Sequence, residues 1–582
     1  MHLRRNYRTN NGKRYAYWSL VESYRTAKGP RQRVVAYLGD LDESGRLGVK
    51  QAAQDEAGPT QAPLFENDAR TRFVEVDLNS VRVERVQDFG GAWIGLQLIR
   101  QLQLLPFLDE HMPRGREDVP WSLMTLVLVI CRVCDPSSEL RIAEHLYPHS
   151  ALPDLLGVAA AKINDTRLYR ALDQLLPHKE KLEAFLTERL GTLFDLKYDL
   201  LLYDVTSTYF EGEAKANPLA QRGYSRDKRG DCKQVCIGLV VSRCGMPVGY
   251  EVFAGNRHDS TTMEEVVETM EKRYGKADRI WVMDRGMVSE EHIEFLQEGD
   301  RRYIVGTPKS MLKSYEQALL DDADWQKVHE GLEVKRVPGP EGRETFILCR
   351  SEQRREKEQA MVERFEKRIE EGLESLSRRL DKARKLPNEV QVQRQIGRLL
   401  QRNQRAAGLF KIDVTKVERE GRPGLGVTWS KQDAWRGWAR LSHGCYLLRS
   451  NVDNWSDEEL WRAYIQLTEA EAAFRIQKSD LRLRPVWHQR EDRVKAHLLV
   501  CFLAYVLWKM LAQLCRAAGL GDEPRKVFDE LSRIRLVDVI LPVRGGMEIR
   551  KRCVSKPTEH QAILLHRLGL DLPQRLECTD VV

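Results

Sequence analysis

The most constraining feature of the sequence is a block, residues 197–310, in which short apolar segments alternate with helical patterns. The apolar segments are bounded by turn signals such as Gly245 and Pro247, so they predict strands. In chain order the predicted elements are strands at 198–206, 234–241 and 248–253, a helix at 262–274, a strand at 279–284 and a helix at 289–297. This order predicts an α/β domain in which helices cover a sheet.

An acidic residue stands at the end of two of these strands. Asp204 and Asp284 each close an apolar run, and an Asp in that position is often only a turn former. The order β-β-β-α-β-α is also that of an RNase H-like half-domain, an analogy at the level of fold. The ends of adjacent strands and one facing helix are a simple way to bring distant acids together. Which interpretation holds depends on a third acid.

The third acid is Glu471, on a predicted helix at 457–478. Arg475 and Lys478 follow it at i+4 and i+7, and Tyr464 precedes it by seven residues, so these side chains share a face. Metal-dependent phosphodiester cleavage needs carboxylates for divalent cations and basic side chains for phosphates. A solvated, salt-bridged helix face is the alternative, but it does not account for the aromatic residues just beyond. The three acids therefore predict a DNA-cutting site.

The chain before the block divides into three parts. Residues 1–50 predict a small β module with strands at 14–18 and 33–39. Residues 51–75 predict a polar linker. Residues 76–195 follow helical periodicity and predict an α-helical domain that binds DNA ends, although a plain helical scaffold fits the pattern equally well.

A long interruption separates the block from the helix that carries Glu471. Two helices are predicted at 352–386 and 390–403 because their apolar seams are separated by Pro387, and their flanks at 334–349 and 408–449 are β-like. The predicted fold is an α/β, RNase H-like catalytic core interrupted by an α+β insertion. The predicted ranges are 196–310 and 441–515 for the catalytic domain, 311–440 for the insertion and 516–582 for a basic, irregular C-terminal tail.

Charge and hydropathy restrict the partners. The balance of 93 basic and 86 acidic residues leaves a net charge of only +7, which is compatible with nucleic acid but does not establish it. Local clusters say more: residues 222–233 carry five basic residues and 475–495 carry seven. The basic N-terminus is followed by no apolar region, and the apolar run at 498–508 is too short to cross a bilayer. We therefore expect a cytoplasmic, nucleoid-associated protein with no membrane partner.

Several motifs carry a resemblance to a known family. In order they are Tyr203–Gly212, Gly223–Arg229, Gly255–Asn256 with Asp259, Val282–Ser289, and Glu471–Ser479 followed by Arg484–His488. Together they resemble the insertion-sequence DDE transposases, in particular the group with a Y-R-E-K signature and a large insertion between the second Asp and the Glu. One departure is Leu467, which stands where the signature has Arg. Arg475 is the candidate to replace that phosphate contact.

The resemblance implies roles for particular residues. Asp204, Asp284 and Glu471 would be the catalytic metal ligands for two Mg²⁺ or Mn²⁺ ions. The expected DNA contacts are Tyr464, Arg475, Lys478, Arg226, Lys228, Arg229, Arg285, Trp487 and His488. The implied partners are transposon-end inverted repeats and target DNA, with a homodimer in the synaptic complex. Trp429, Trp435 and Trp438 are candidates for stacking on an unpaired base, with core packing as the alternative.

Two other functions stay open at this point. A transposase-derived protein could bind DNA without cutting it, although such a descendant need not keep all three acids. An RNase H-like nuclease could cut DNA without joining strands. The sequence does not separate this last possibility from transposition.

Overall fold

The computed structural model describes residues 2–10, 13–26, 29–39, 74–275, 279–339, 342, 344–383, 385, 388–419, 422–544 and 546–576. The linker predicted at 51–75 lies outside these residues except for its last two positions. Pro387, the predicted break between the two helices of the insertion, also lies outside them.

The strands are, in chain order, β1 (His2–Asn10), β2 (Lys13–Thr26), β3 (Gly29–Gly39), β4 (Arg82–Asp88), β5 (Leu200–Tyr209), β6 (Gln234–Ser242), β7 (Pro247–Ala254), β8 (Ile280–Met283), β9 (Arg302–Gly306), β10 (Gln326–His329), β11 (Leu332–Pro338), β12 (Thr345–Ser351), β13 (Phe410–Arg419), β14 (Arg422–Lys431), β15 (Cys445–Ser450), β16 (Arg535–Pro542) and β17 (Glu548–Val554).

The α-helices are, in chain order, α1 (Gly90–Leu102), α2 (Leu104–His111), α3 (Trp121–Cys134), α4 (Glu139–Arg141), α5 (Tyr147–His149), α6 (Leu152–Leu156), α7 (Asp165–Leu175), α8 (Lys179–Phe194), α9 (Met263–Tyr274), α10 (Glu290–Glu298), α11 (Glu316–Leu320), α12 (Glu352–Asp381), α13 (Glu389–Arg402), α14 (Gln404–Ala407), α15 (Asp433–Ser442), α16 (Asp457–Ile465), α17 (Leu467–Ser479), α18 (Glu491–Ala517), α19 (Pro524–Leu531) and α20 (Glu559–Arg567).

The chain forms two compact units. Unit 1 comprises Met1–Tyr198, Tyr203–Ala277 and Thr468–Val582, and unit 2 comprises Asp199–Leu202 and Asp278–Leu467. These boundaries differ from the domains expected from the sequence. Asp284, expected in the catalytic domain, and residues 311–440, expected to form the insertion, fall in the same unit. The division into a catalytic core and an insertion stays a prediction.

Unit 2 is built on a large mixed sheet. Its strands are hydrogen-bonded in the order β10-β11-β12-β15-β9-β8, and the Ile280 N–H donates to the Asp199 carbonyl at 2.8 Å beside the start of β5. β8 and β9 are parallel. The other pairs are antiparallel: β10 with β11, β11 with β12, β12 with β15, and β15 with β9. All four residues of β8 are buried, as its apolar sequence predicts for an inner strand.

Two helices of unit 2, α12 and α13, run antiparallel. Gly372 faces Leu399, and Arg379 is hydrogen-bonded to Gln395. The later residue of α12 contacts the earlier residue of α13, as in antiparallel helices. Burial of the apolar seam explains why such highly charged segments are helical. The buried seam consists of Ile369, Leu373, Leu376, Leu380, Val392 and Ile396.

In unit 1 the central helix is α18. Most of its residues between Val494 and Ala512 are buried, and it packs against α3 and α7. It is the one helix among the described residues that is long and apolar enough to cross a membrane, but 89% of its apolar window is buried within the protein. The core helix of a protein with no membrane span passes the same test. At the N-terminus of the unit, β1, β2 and β3 form an antiparallel sheet.

The C-terminal residues of unit 1 are folded. β16 pairs antiparallel with both β17 and β4, and α19 and α20 flank these strands in the chain. The prediction of an irregular tail at 516–582 is therefore wrong for the described residues up to Leu576. The sequence of β16 does not show the apolar alternation of a strand, because Asp538 stands at one of the buried positions. The Asp538 side chain is 4% exposed and pairs with Arg552.

Two further segments differ from the sequence interpretation. The helix predicted at 457–478 is divided at Gln466, where ψ is −11°, so Tyr464 lies on α16 and Glu471 on α17. Residues Asp433–Ser442, predicted as β-like, form the helix α15 because their apolar residues recur at helical spacing and one face is buried.

Candidate active site

Asp204 is the polar exception on the buried strand β5. Its neighbours from Leu200 to Thr208 are buried, whereas Asp204 is half-buried. The Asp204 carboxylate accepts a hydrogen bond from the Val205 N–H at 2.8 Å. A carboxylate that is fixed on a rigid strand and partly open to solvent is suited to bind a hard cation.

The helix α17 lies alongside β5 through Lys478. The Lys478 ammonium donates to Thr206 Oγ1 at 2.8 Å and to Asp227 Oδ1 at 3.0 Å. Arg484 donates to the same Asp227 carboxylate, whose side chain is 3% exposed. Burial lowers the pKa of Lys478, against the opposing effect of Asp227. These contacts fix the end of α17 just beyond Asp204 on β5.

Glu471 is the accessible carboxylate of α17. It is exposed and lines a polar cleft of about 720 Å³ in unit 1 together with Arg475 and Arg516. Glu469, on the same helix, is bonded at 3.1 Å to the buried Lys509 ammonium. Glu471 is therefore the better placed of the two acids to bind a cation from solvent.

In unit 2, Asp284 follows β8 directly and is exposed. The Tyr464 hydroxyl donates a hydrogen bond to Asp284 Oδ1 at 3.1 Å. Burial, and then the Asp284 charge, raise the pKa of Tyr464, so the phenol stays protonated and able to donate. Gly306 permits this contact, because a Cβ there would lie 2.4 Å from the Tyr464 oxygen.

Arg285, the residue after Asp284, lines a cleft of about 450 Å³ in unit 2. Other residues of this lining are Lys309, Arg354, Arg405, Trp435 and Trp438. Trp429 and Trp435 also pack against the core of the α12–α13 pair, and Trp438 packs against a second core cluster of unit 2. The cleft combines basic and aromatic side chains, which suit phosphates and bases.

The other predicted DNA contacts in unit 1 differ in their surroundings. Arg226 is ion-paired with Asp259, and Arg229 is bonded to Asp231 at 2.9 Å. Lys228 and Arg475 are exposed, and Trp487 is 67% exposed. The exposed side chains can reach a ligand directly, whereas Arg226 and Arg229 would have to share their charge with an acid.

His488 is turned inward, which does not fit the DNA contact expected from the sequence. Its side chain is 8% exposed, and Nε2 lies 3.2 Å from Glu139 Oε1. The ring also packs edge-on to Tyr169, with centroids 5.9 Å apart. Glu139 precedes His488 by more than half the length of the chain. Burial raises the pKa of Glu139, but the hydrogen bond and charge of His488 outweigh it and lower the pKa to about 2.

The sequence interpretation missed the roles of Asp227 and Glu139. Asp227 is an acid inside a basic run, which hints at an internal ion pair, but its partner Lys478 is 251 residues away. Nothing in the local sequence around Glu139 indicates its contact with His488. Pairings over such separations follow only from the tertiary fold.

Two family models match the chain. Residues 195–507, more than half of it, match the model described as the transposase DDE domain, and this range includes all three predicted acids. Residues 3–57 match the N-terminal domain of the IS1634 family transposases. No curated protein matches the chain at a significant level.

Proposed function

The chain belongs to the insertion-sequence DDE transposases, and from this premise we propose that it cuts DNA at the ends of its element and joins them to target DNA. Asp204, Asp284 and Glu471 are the proposed catalytic carboxylates. The observation that carries the proposal is the contact of Lys478 with Thr206, which holds the helix of Glu471 against the strand of Asp204.

The chemistry of the donors fits divalent cations. All three residues offer carboxylate oxygens, which Mg²⁺ and Mn²⁺ prefer, and none of the three is fully buried. A pair of such ions, when bound, makes a water or 3′-hydroxyl nucleophilic and neutralises the leaving oxyanion. Asp199 and Ile280 are paired beside the starts of β5 and β8, and Asp204 and Asp284 follow shortly after. The proposal that all three acids serve one reaction rests on their shared donor chemistry and on the match of residues 195–507 to the transposase DDE domain.

Side chains around the acids would orient them. Tyr464 donates to one Asp284 oxygen and leaves the other carboxylate oxygen for a cation. Lys478 is tied to Asp227 and Thr206, so its proposed role at DNA is to offer a positive charge from a fixed position. Fixed charges lose less conformational entropy on binding than mobile ones do.

DNA backbone contacts are proposed for the exposed basic residues. Lys228, Arg475 and Arg285 are exposed and can neutralise phosphates, and the exposed indole of Trp487 can stack on a base. The proposed partners are the terminal inverted repeats and target DNA, bound by a homodimer in a synaptic complex. The proposed location is the cytoplasm, in association with the nucleoid.

The proposal is tested with a duplex that carries the DNA flanking the coding region, incubated with the full chain and Mg²⁺. We expect cleavage at the element end and joined products with a second duplex. Glu471→Gln should abolish both, whereas the matched variant Glu523→Gln, whose exposed carboxylate lines the same cleft, should retain them.

The other two functions give different results in the same assay. Cleavage without joined products identifies a nuclease. A gel shift without cleavage by the wild-type chain identifies a DNA-binding protein that has lost catalysis. Either outcome contradicts the proposal.

A further inference from the structure

A buried group of metal-binding side chains in unit 1 uses none of the proposed catalytic acids. Glu139 begins α4, His488 lies between α17 and α18, and His497 is on α18. One donor atom of each lies within 4.8 Å of the others, and all three residues are buried. We propose that Glu139, His488 and His497 bind a structural zinc ion, with Cys501 as the fourth ligand.

The distances among Glu139, His488 and His497 suit binding of one metal ion. Glu139 Oε1 lies 3.2 Å from His488 Nε2, and His497 Nε2 lies 3.7 Å from Cys501 Sγ. Zinc bonds of about 2.0–2.3 Å place tetrahedral donors roughly 3.3–3.8 Å apart. The Glu139–His488 distance is therefore close to the spacing that coordination requires. Cys501 lies outside the mutually close group of three, so its side chain would have to rotate toward the ion to complete the site. The two imidazole rings lie with centroids 5.1 Å apart.

The donors come from separate parts of the chain. His497 and Cys501 stand at i and i+4 on one face of α18, and both are buried. Glu139 and His488 approach this face from two other segments. Convergence of three segments on one enclosed point differs from an incidental cluster of acids on a surface. It is how a metal ion links parts of a fold.

The donor types select zinc. Imidazole nitrogen, carboxylate oxygen and thiolate sulfur are the ligands of Zn²⁺, and four protein ligands leave no open position, as in structural rather than catalytic sites. Two other groups face the cluster. The charge of the buried Arg132 acts on both His497 and Cys501, and the Leu483 carbonyl lies 3.4 Å from His497 Nε2. The anionic Glu139 and Cys501 would offset the Zn²⁺ charge beside Arg132.

Zinc at this point would fix the segment that borders β5. Just before His488, the Val486 N–H donates to the Tyr209 carbonyl at 2.9 Å, and the Val486 carbonyl accepts from the Glu211 N–H at 3.0 Å. A metal held by His488 would therefore restrain the chain beside the strand of Asp204. The site is argued from its own geometry and does not rest on the proposed function.

The test is the metal content of the full chain, purified without a histidine tag from zinc-supplemented cells and dialysed against excess Mg²⁺. Elemental analysis should find about one zinc ion per chain, because Mg²⁺ does not compete for nitrogen and sulfur ligands. Replacement of zinc by Co²⁺ should give the visible absorption of a tetrahedral site. Cys501→Ser should remove the thiolate-to-cobalt charge-transfer band.

Matched variants test whether the zinc is bound by these residues or by other side chains of the protein. Glu139→Gln, His488→Gln and His497→Gln should each lose the zinc, whereas Cys515→Ser on the same helix and the exposed His566→Gln should retain it. Asp204→Asn should also retain it. A wild-type chain that binds neither zinc nor Co²⁺ would overturn the proposal, and the group would be a metal-free network neutralised by Arg132. Full zinc content in the histidine variants would overturn it equally.

Discussion

At the scale of single residues, the contact between Tyr464 and Asp284 is the most specific in unit 2. The phenol donates at 3.1 Å to a carboxylate that must keep its orientation to bind a cation. A hydrogen bond to a charged group contributes about 1.5–3 kcal/mol. Tyr464→Phe should therefore lower the cleavage rate roughly ten- to a hundredfold while DNA affinity in a gel shift stays unchanged. Tyr315→Phe in the same unit is the control, and a wild-type rate for Tyr464→Phe would exclude the positioning role.

The proposed DNA role of Lys478 has a different signature. Lys478→Ala removes one positive charge, so the slope of affinity against salt concentration should fall by about one counterion. The measurement is a series of binding titrations at several salt concentrations. An unchanged slope would mean that Lys478 does not contact DNA and only bonds to Asp227 and Thr206 inside the protein.

At the scale of elements, the pairing of β16 with β17 depends on a buried ion pair. Asp538 accepts two hydrogen bonds from Arg552, at 2.8 and 2.9 Å. Burial raises the pKa of Asp538, but Arg552 outweighs it and the net pKa is lowered. A carboxylate with a lowered folded-state pKa stabilises the fold above its unfolded pKa of about 3.9 and loses that contribution as the pH falls through the folded value.

Asp538→Asn should consequently destabilise the chain by up to about 3 kcal/mol near neutral pH, because the buried Arg552 then keeps only Asp154 as an acidic partner. The difference from wild type in denaturant unfolding should shrink as the pH falls below about 4. The exposed Glu523→Gln is the control. A difference that stays constant from neutral to acid pH would contradict the ion-pair account.

The elements that the sequence predicts best are the buried strands and the isolated acids on them. β5 and β8 are apolar runs, so Asp204 stands out within β5 and Asp284 stands out directly after β8. The break at Gln466 was not predictable, because the residues on both sides keep helical periodicity. β16 was missed for the opposite reason, since its buried Asp538 interrupts the apolar alternation. The local sequence pattern indicates which apolar side chains are buried. It does not indicate a charged side chain that is buried because it pairs with a residue distant in the sequence.

At the scale of the whole molecule, the C-terminal residues are part of unit 1. The Phe89 and Gly90 N–H groups both donate to the Ile534 carbonyl, and a Cβ at Gly90 would lie 1.8 Å from the Leu531 carbonyl oxygen. A chain that ends at Gly521 loses β16 and leaves β4 as an unpaired edge. It should aggregate or unfold at lower temperature, whereas a chain that ends at Leu576 keeps every described element and should not. Equal thermal stability of the two truncations would show that the C-terminal sheet is dispensable.

The central claim is that Asp204, Asp284 and Glu471 are the catalytic metal ligands. The most direct measurement is cleavage of the flanking-DNA duplex by Asp204→Cys and Asp284→Cys in Mg²⁺ and in Mn²⁺. A thiolate is a poor ligand for Mg²⁺ but an acceptable one for the softer Mn²⁺. We expect no cleavage in Mg²⁺ and partial recovery in Mn²⁺ for both variants, with DNA binding unchanged. Cleavage by either variant in Mg²⁺ at the wild-type rate would contradict the claim.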